Sequence, residues 1–264
     1  MKNLLTILTG IFAILPLLAQ DSFTATRANS ELLIDGYSTD WDKNFHTNEE
    51  GKISFSVCND NEYFYLCIQT FDRATQQKIT RSGMTVNLSA KGEKKIKATI
   101  NYPLKSGLSK ADDAQVSPGQ QGQDVRQQMR QLVLDQCLEM KTKGLFSQKG
   151  TIPSSNENGI NAVIKWETEQ LLTYELSLPL KELFGETFTE EDLAIPINIK
   201  IIANAIPQPQ PQQTSTAGGG GGGRGGRGGR GGGGSQSSRG GQMNRSDMFI
   251  VTSLKYAFTL NTGK

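Results

Sequence analysis

Beyond an apolar opening stretch, the chain alternates apolar and polar residues in short runs closed by Gly, Asn and Asp, the pattern of strands and hairpins. The clearest run, Ile53 to Ile68 (ISFSVCNDNEYFYLCI), predicts two strands about a turn at Asp60-Asn61. Strand side chains alternate faces, so Phe55, Val57, Phe64, Leu66 and Ile68 share a core-facing side, while Cys58, Tyr63, Tyr65 and Cys67 point the other way. In that register Cys58 lies opposite Tyr63, and Cys67 stands about 13 Å further along at the usual strand rise. A disulfide tolerates a Cα separation of only about 7 Å. The pattern therefore argues against a Cys58–Cys67 bridge. Cys137 can still reach either partner, and free buried thiols are the plainer expectation.

A second hairpin is expected from Gly83 to Tyr102, turning at Lys91-Gly92. Met84, Val86 and Leu88 lie on one arm and Ile96, Ala98 and Ile100 on the other, with Pro103 closing it. From Ser106 to Gln131 the composition shifts to Lys, Asp, Gln and Gly, and DVRQQMRQLVLDQ is spaced like a short amphipathic helix from about Gln123. This region, residues 106–131, reads as a loop insertion carrying one helix. Strands are predicted to resume at Leu138–Leu145, Asn161–Glu167, Leu172–Leu178 and Ile195–Ala205, with one helical turn at Pro179–Phe184. Trp166 alternates with Ile164, which assigns it to the core. A last strand lies within Met248–Leu260, where Leu254, Tyr256, Phe258 and Leu260 line one side.

Residues 207–246 cannot contribute to a core. PQPQPQQ favours extended polyproline conformation, and Gly218 to Gly241 is almost entirely glycine punctuated by Arg224, Arg227, Arg230 and Arg239. Ordering glycine costs the most backbone entropy and buries no side chain, so disorder is the expected state. A coil of this size spans roughly 25–30 Å, enough to bridge two neighbouring strands as a long loop. A lone strand is not stable alone, so the strand after the tract assigns it to an insertion inside one domain.

At the opposite end, Lys2 precedes an apolar run from Leu4 to Leu18, which ends in LLAQD. That is a secretory leader with cleavage expected after Ala19. The run is shorter than a spanning helix of about 20 apolar residues and contains Pro16. The mature chain, residues 20–264, is then expected as one domain in the periplasm or outside the cell. A net charge of +2 and a single histidine, His46, argue against a globally basic nucleic-acid binder and against most histidine-dependent chemistry. Three cysteines are too few, and odd in number, for a disulfide scaffold. No G-x-S-x-G elbow, H-E-x-x-H pair or phosphate-binding loop occurs, so no catalytic residue is assigned and the chain is read as non-enzymatic.

The Arg-Gly repeats look like the RGG boxes of RNA-binding proteins, but they lack interleaved aromatic residues and sit in a chain expected to be exported. The alternatives are a solvated, weakly cationic loop and a loop that adheres electrostatically to acidic polysaccharide or the cell envelope. The segment ELLIDGYSTDWD (Glu31–Asp42) is more informative. IDG followed by DW, then NDNEYFY at Asn59–Tyr65, an acidic position at Asp72, and YELSLPL at Tyr174–Leu180 with Leu183, occur in the order found in family 9 carbohydrate-binding modules. The chain resembles those modules from about Glu31 to Phe184. The resemblance implies an all-β, antiparallel β-sandwich of immunoglobulin or jelly-roll type, here with a helical insertion and a glycine-rich loop. It also implies a glycan or envelope component as partner and, by analogy with the family, a structural calcium. Candidate ligand-binding residues are Trp41, Tyr63 and Tyr65. Trp41 either stacks on a sugar or caps the core at a sandwich corner. Tyr63 and Tyr65 form either an exposed stacking platform or a surface covered by the inserted helix around Met129–Leu134.

Overall fold

The computed structural model describes residues 22–48, 50, 52–92, 95–104, 123–208 and 245–263. The expected leader, the first part of the 106–131 insertion and the glycine-arginine tract lie outside these residues.

The chain enters through two very short strands, β1 (Ser22–Thr24) and β2 (Thr26–Arg27), and passes a 3-10 turn at Ser38–Asp40 before β3 (His46–Thr47). The first predicted hairpin follows as β4 (Ser54–Asn59) and β5 (Tyr63–Thr70). Helix α1 (Arg73–Ser82) leads to the second hairpin, β6 (Met84–Ala90) and β7 (Ile96–Tyr102). Next come α2 (Gln123–Leu134), β8 (Glu139–Lys143), β9 (Gly150–Pro153), β10 (Asn161–Trp166) and β11 (Leu172–Pro179). Two short helices, α3 (Leu180–Phe184) and α4 (Glu190–Leu193), precede β12 (Ile197–Ala203), and β13 (Thr252–Thr259) closes the fold.

These strands form a β-sandwich. One sheet runs β1-β13-β12-β6-β7-β8-β9 and the other β10-β11-β5-β4-β2, with β3 also on β4. The inward face of each strand follows the predicted alternation: Phe55, Val57, Phe64, Leu66 and Ile68 meet Val86, Leu88, Ile100, Ile199 and Ile201 in one core.

Both sheets are mixed, which departs from the purely antiparallel expectation. β1 pairs parallel with β13, and β2 pairs parallel with β4. Both exceptions come from one segment that switches sheets at Ala25, whose N–H donates to the Thr259 carbonyl. The first hairpin is also shifted by two residues, because its turn is longer than Asp60-Asn61. Cys58 faces Tyr65, not Tyr63, which makes Cys67 a diagonal neighbour of Cys58. All three cysteines are nevertheless buried free thiols.

Helix α1 was absent from the periodicity reading, yet its ends carry ordinary signals. Asp72 accepts the Thr75 N–H at 2.8 Å as N-cap, and Gly83 ends the helix at φ +75°. A Cβ on Gly83 would stand 2.5 Å from the Pro103 carbonyl oxygen, so only glycine fits.

The two strands flanking the glycine-arginine tract are neighbours, with Ala203 opposite Thr252. The chain leaves and returns at one hydrogen bond, from the Ile206 N–H to the Met248 carbonyl (2.9 Å). Buried Lys78 of α1 anchors the return by donating to Ile250 O at 3.0 Å and to Thr252 Oγ1.

Candidate functional site

The residues singled out by the motif pattern converge on the outer face of the β10-β11-β5-β4 sheet, where a second, smaller core forms. Trp41, Cys58, Tyr65 and Cys67 are its buried members, and Leu32, Ile34, Phe45 and Tyr63 pack on them. The cover is the chain between Ala28 and Phe45. The inserted helix lies elsewhere, against β10.

Within this core Glu175 is fully buried. Its carboxylate accepts the Gly36 N–H and the Trp41 indole N–H, both at 2.6 Å. The IDG turn, the tryptophan of DW and the glutamate of YELSLPL are thus one hydrogen-bonded staple. Burial raises the Glu175 pKa to about 7, the two N–H donors oppose the rise, and Asp40 and Asp35 add to it. Gly36 sits at φ +84°, where a Cβ would press to 2.5 Å from the Lys165 side chain.

Asp60 plays a similar part at the first hairpin, accepting the N–H groups of Glu62 and Tyr63 and the Tyr65 hydroxyl (2.7, 2.6 and 2.8 Å). Tyr63 is half-buried, stacked on Tyr65 at 5.9 Å. With Trp41 at 6% and Tyr65 at 1% exposure, the three aromatic candidates do not make an exposed platform. Trp41 takes the core-capping role.

An open cleft lies on a different part of the same sandwich. It holds about 660 Å³ between α1, the turn joining β10 to β11, and α2, within the roughly 300–1,000 Å³ of ligand-holding clefts. Helical spacing puts Arg73, Gln76, Gln77 and Thr80 on one side of α1, and Arg126, Gln127 and Arg130 on one side of α2. Phe71 stands at the rim, 66% exposed. Trp166 ends β10 and is half-buried at the edge of the core; the strand alternation alone had placed it inside.

Gln76 organises this cleft. It is buried, its amide nitrogen donates to the carbonyls of Thr70 (3.0 Å) and Gln170 (2.6 Å), and its oxygen accepts the Trp166 indole N–H (3.3 Å). Arg130 lies 5.0 Å above the Trp166 ring and donates to the Glu169 carbonyl at 2.5 Å, which docks α2 onto the turn. Burial lowers the Arg130 pKa; Glu169 opposes this, and Arg126 and Arg73 lower it further.

The cleft therefore combines an exposed ring, a fixed indole, side-chain amides and guanidinium groups. It can hold an amphipathic, hydroxyl-rich ligand by ring contact and by planar hydrogen-bond donors. Part of it was readable in the sequence, since Arg126 and Arg130 stand four apart in a helix. Its assembly was not, because α1 was missed and no local pattern brings Arg73 to Trp166.

Among the described residues, no three His, Cys, Asp or Glu side chains converge as a metal site. Likewise, no helix among the described residues is long and apolar enough to cross a membrane.

No family model, curated protein or solved structure matches this chain.

Proposed function

We propose that the chain is an exported, non-enzymatic binding module, related to family 9 carbohydrate-binding modules in its framework, that takes a glycan in the cleft between α1, α2 and the β10-β11 turn. The observation that carries this reading is the exposed ring of Phe71 in the same cleft as Trp166, whose indole N–H donates to buried Gln76. Sugars present apolar C–H faces and a fringe of hydroxyls. An aromatic ring takes the first, and Gln77, Gln127 and the arginines take the second. Prior fixation of the indole spares ordering entropy on binding.

A second reading has its own observation. Trp41 and Tyr65 are buried and hydrogen-bonded within the protein, as expected of an interaction protein that keeps the framework without a sugar site. Its contacts would then run through the glycine-arginine tract.

A glycan-array screen of the mature chain, with and without residues 207–246, separates the two. Binding that survives removal of the tract and disappears in Phe71→Ala supports the cleft. Binding that disappears only with the tract supports electrostatic adhesion and overturns the cleft.

A further inference from the structure

The cleft carries more positive charge than a neutral sugar requires. Arg73, Arg126 and Arg130 line it against a single carboxylate residue, Glu169. Arg130 is engaged with the Glu169 carbonyl and the Trp166 ring, while Arg73 and Arg126 are exposed. Arg73 opens α1 next to the Asp72 N-cap, and a cation in the first turn opposes the helix dipole. Arg126 and Arg73 both act on Arg130 as like charges. An anion in the cleft would relieve all three.

Resting on the glycan reading above, we infer that the cleft selects an anionic saccharide, whose carboxylate or sulfate groups meet the guanidinium groups of Arg73 and Arg126 while a pyranose face lies on Phe71. Arginine suits this role because its planar fork matches carboxylate and sulfate oxygens in pairs, and because it stays charged at any physiological pH. Gln77 and Gln127, on the same two helices, are left to bond hydroxyls.

The test titrates the mature chain with polygalacturonate, the same polymer with its carboxylates methyl-esterified, a sulfated galactan and a neutral xylan. Binding to an acidic polymer at least about tenfold tighter than to the esterified and neutral ones supports the inference. That preference should collapse in Arg73→Gln/Arg126→Gln, a pair of exposed substitutions whose folding is checked by thermal melting. The sulfated and carboxylated arms identify which anion is preferred. Equal affinity for acidic and neutral polymers, lost in Phe71→Ala, would overturn the anionic selection and leave the glycan reading standing. Absence of binding to every polymer would overturn both. Acidic binding that persists in the double variant but vanishes without residues 207–246 would assign the charge preference to the tract and overturn the inference.

Discussion

At the scale of single residues, Glu175 joins the most distant parts of the motif. Its folded pKa is raised from 4.5 to about 7, so the folded protein holds this proton more tightly than the unfolded chain does. The resulting stability is fully present below about pH 4.5 and is lost as pH rises through about 7, with a slope of at most about 1.4 kcal/mol per pH unit. The thermal midpoint should therefore fall between pH 5 and 7. Glu175→Gln should flatten that fall, because it removes the titration. It should also cost about 1–3 kcal/mol at pH 5, since the carboxamide turns an N–H₂ toward one of two N–H donors. Equal pH slopes in the wild type and the variant would sink this assignment. The motif residues were legible in the sequence as a framework: Gly36, Trp41, Asp60 and Glu175 recur in the expected order. Core-capping was one of the two readings of Trp41; that Glu175 would join Trp41 to Gly36 was not legible. It depends on the Ala28–Phe45 segment crossing the sheet face, and that segment has no periodic pattern of its own.

Among the elements, the pattern identified β4 to β8 and β10 to β13, since each sends alternate apolar residues into the common core. It failed where strands are too short to show a period. β1, β2 and β3 are two or three residues long and β9 is four; β11 was found although all eight of its residues are buried. Helix α1 escaped because its buried face includes Thr75, Gln76 and Lys78 as well as Ala74 and Ile79, which blurs an apolar stripe. Its N-cap was visible as the acidic position of the motif, without its function. Asp72→Ala should cost about 1 kcal/mol of stability and raise amide exchange through the first turn of α1. Because that turn carries Arg73 and Gln76, the same variant should weaken glycan binding more than it lowers the melting temperature would suggest. Unchanged exchange in α1 would remove the cap from this account.

On the scale of the whole molecule, the sandwich separates framework from cleft. On the motif face Trp41 and Tyr65 are buried in the second core, and the candidate site is built from a helix between β5 and β6, another beside β10, and one turn. The glycine-arginine tract is joined to this body at two adjacent backbone positions, Ile206 and Met248, and Lys78 secures the returning chain. Replacing residues 209–244 with a short Gly-Ser linker should leave the melting temperature within a few degrees of the wild type, because closing a shorter loop changes the entropy only slightly. A loss of cooperative unfolding would show that the tract is part of the fold.

The central claim is that the cleft, and not the motif face, is where this protein meets its ligand. The most direct measurement is calorimetric titration of the best-binding glycan into the wild type, Phe71→Ala and Trp41→Phe, each first shown to fold. Phe71→Ala should weaken binding at least about tenfold, while Trp41→Phe should lower stability by about 1–2 kcal/mol through loss of the Glu175 hydrogen bond and keep wild-type affinity. Full affinity in Phe71→Ala together with loss in Trp41→Phe would contradict it.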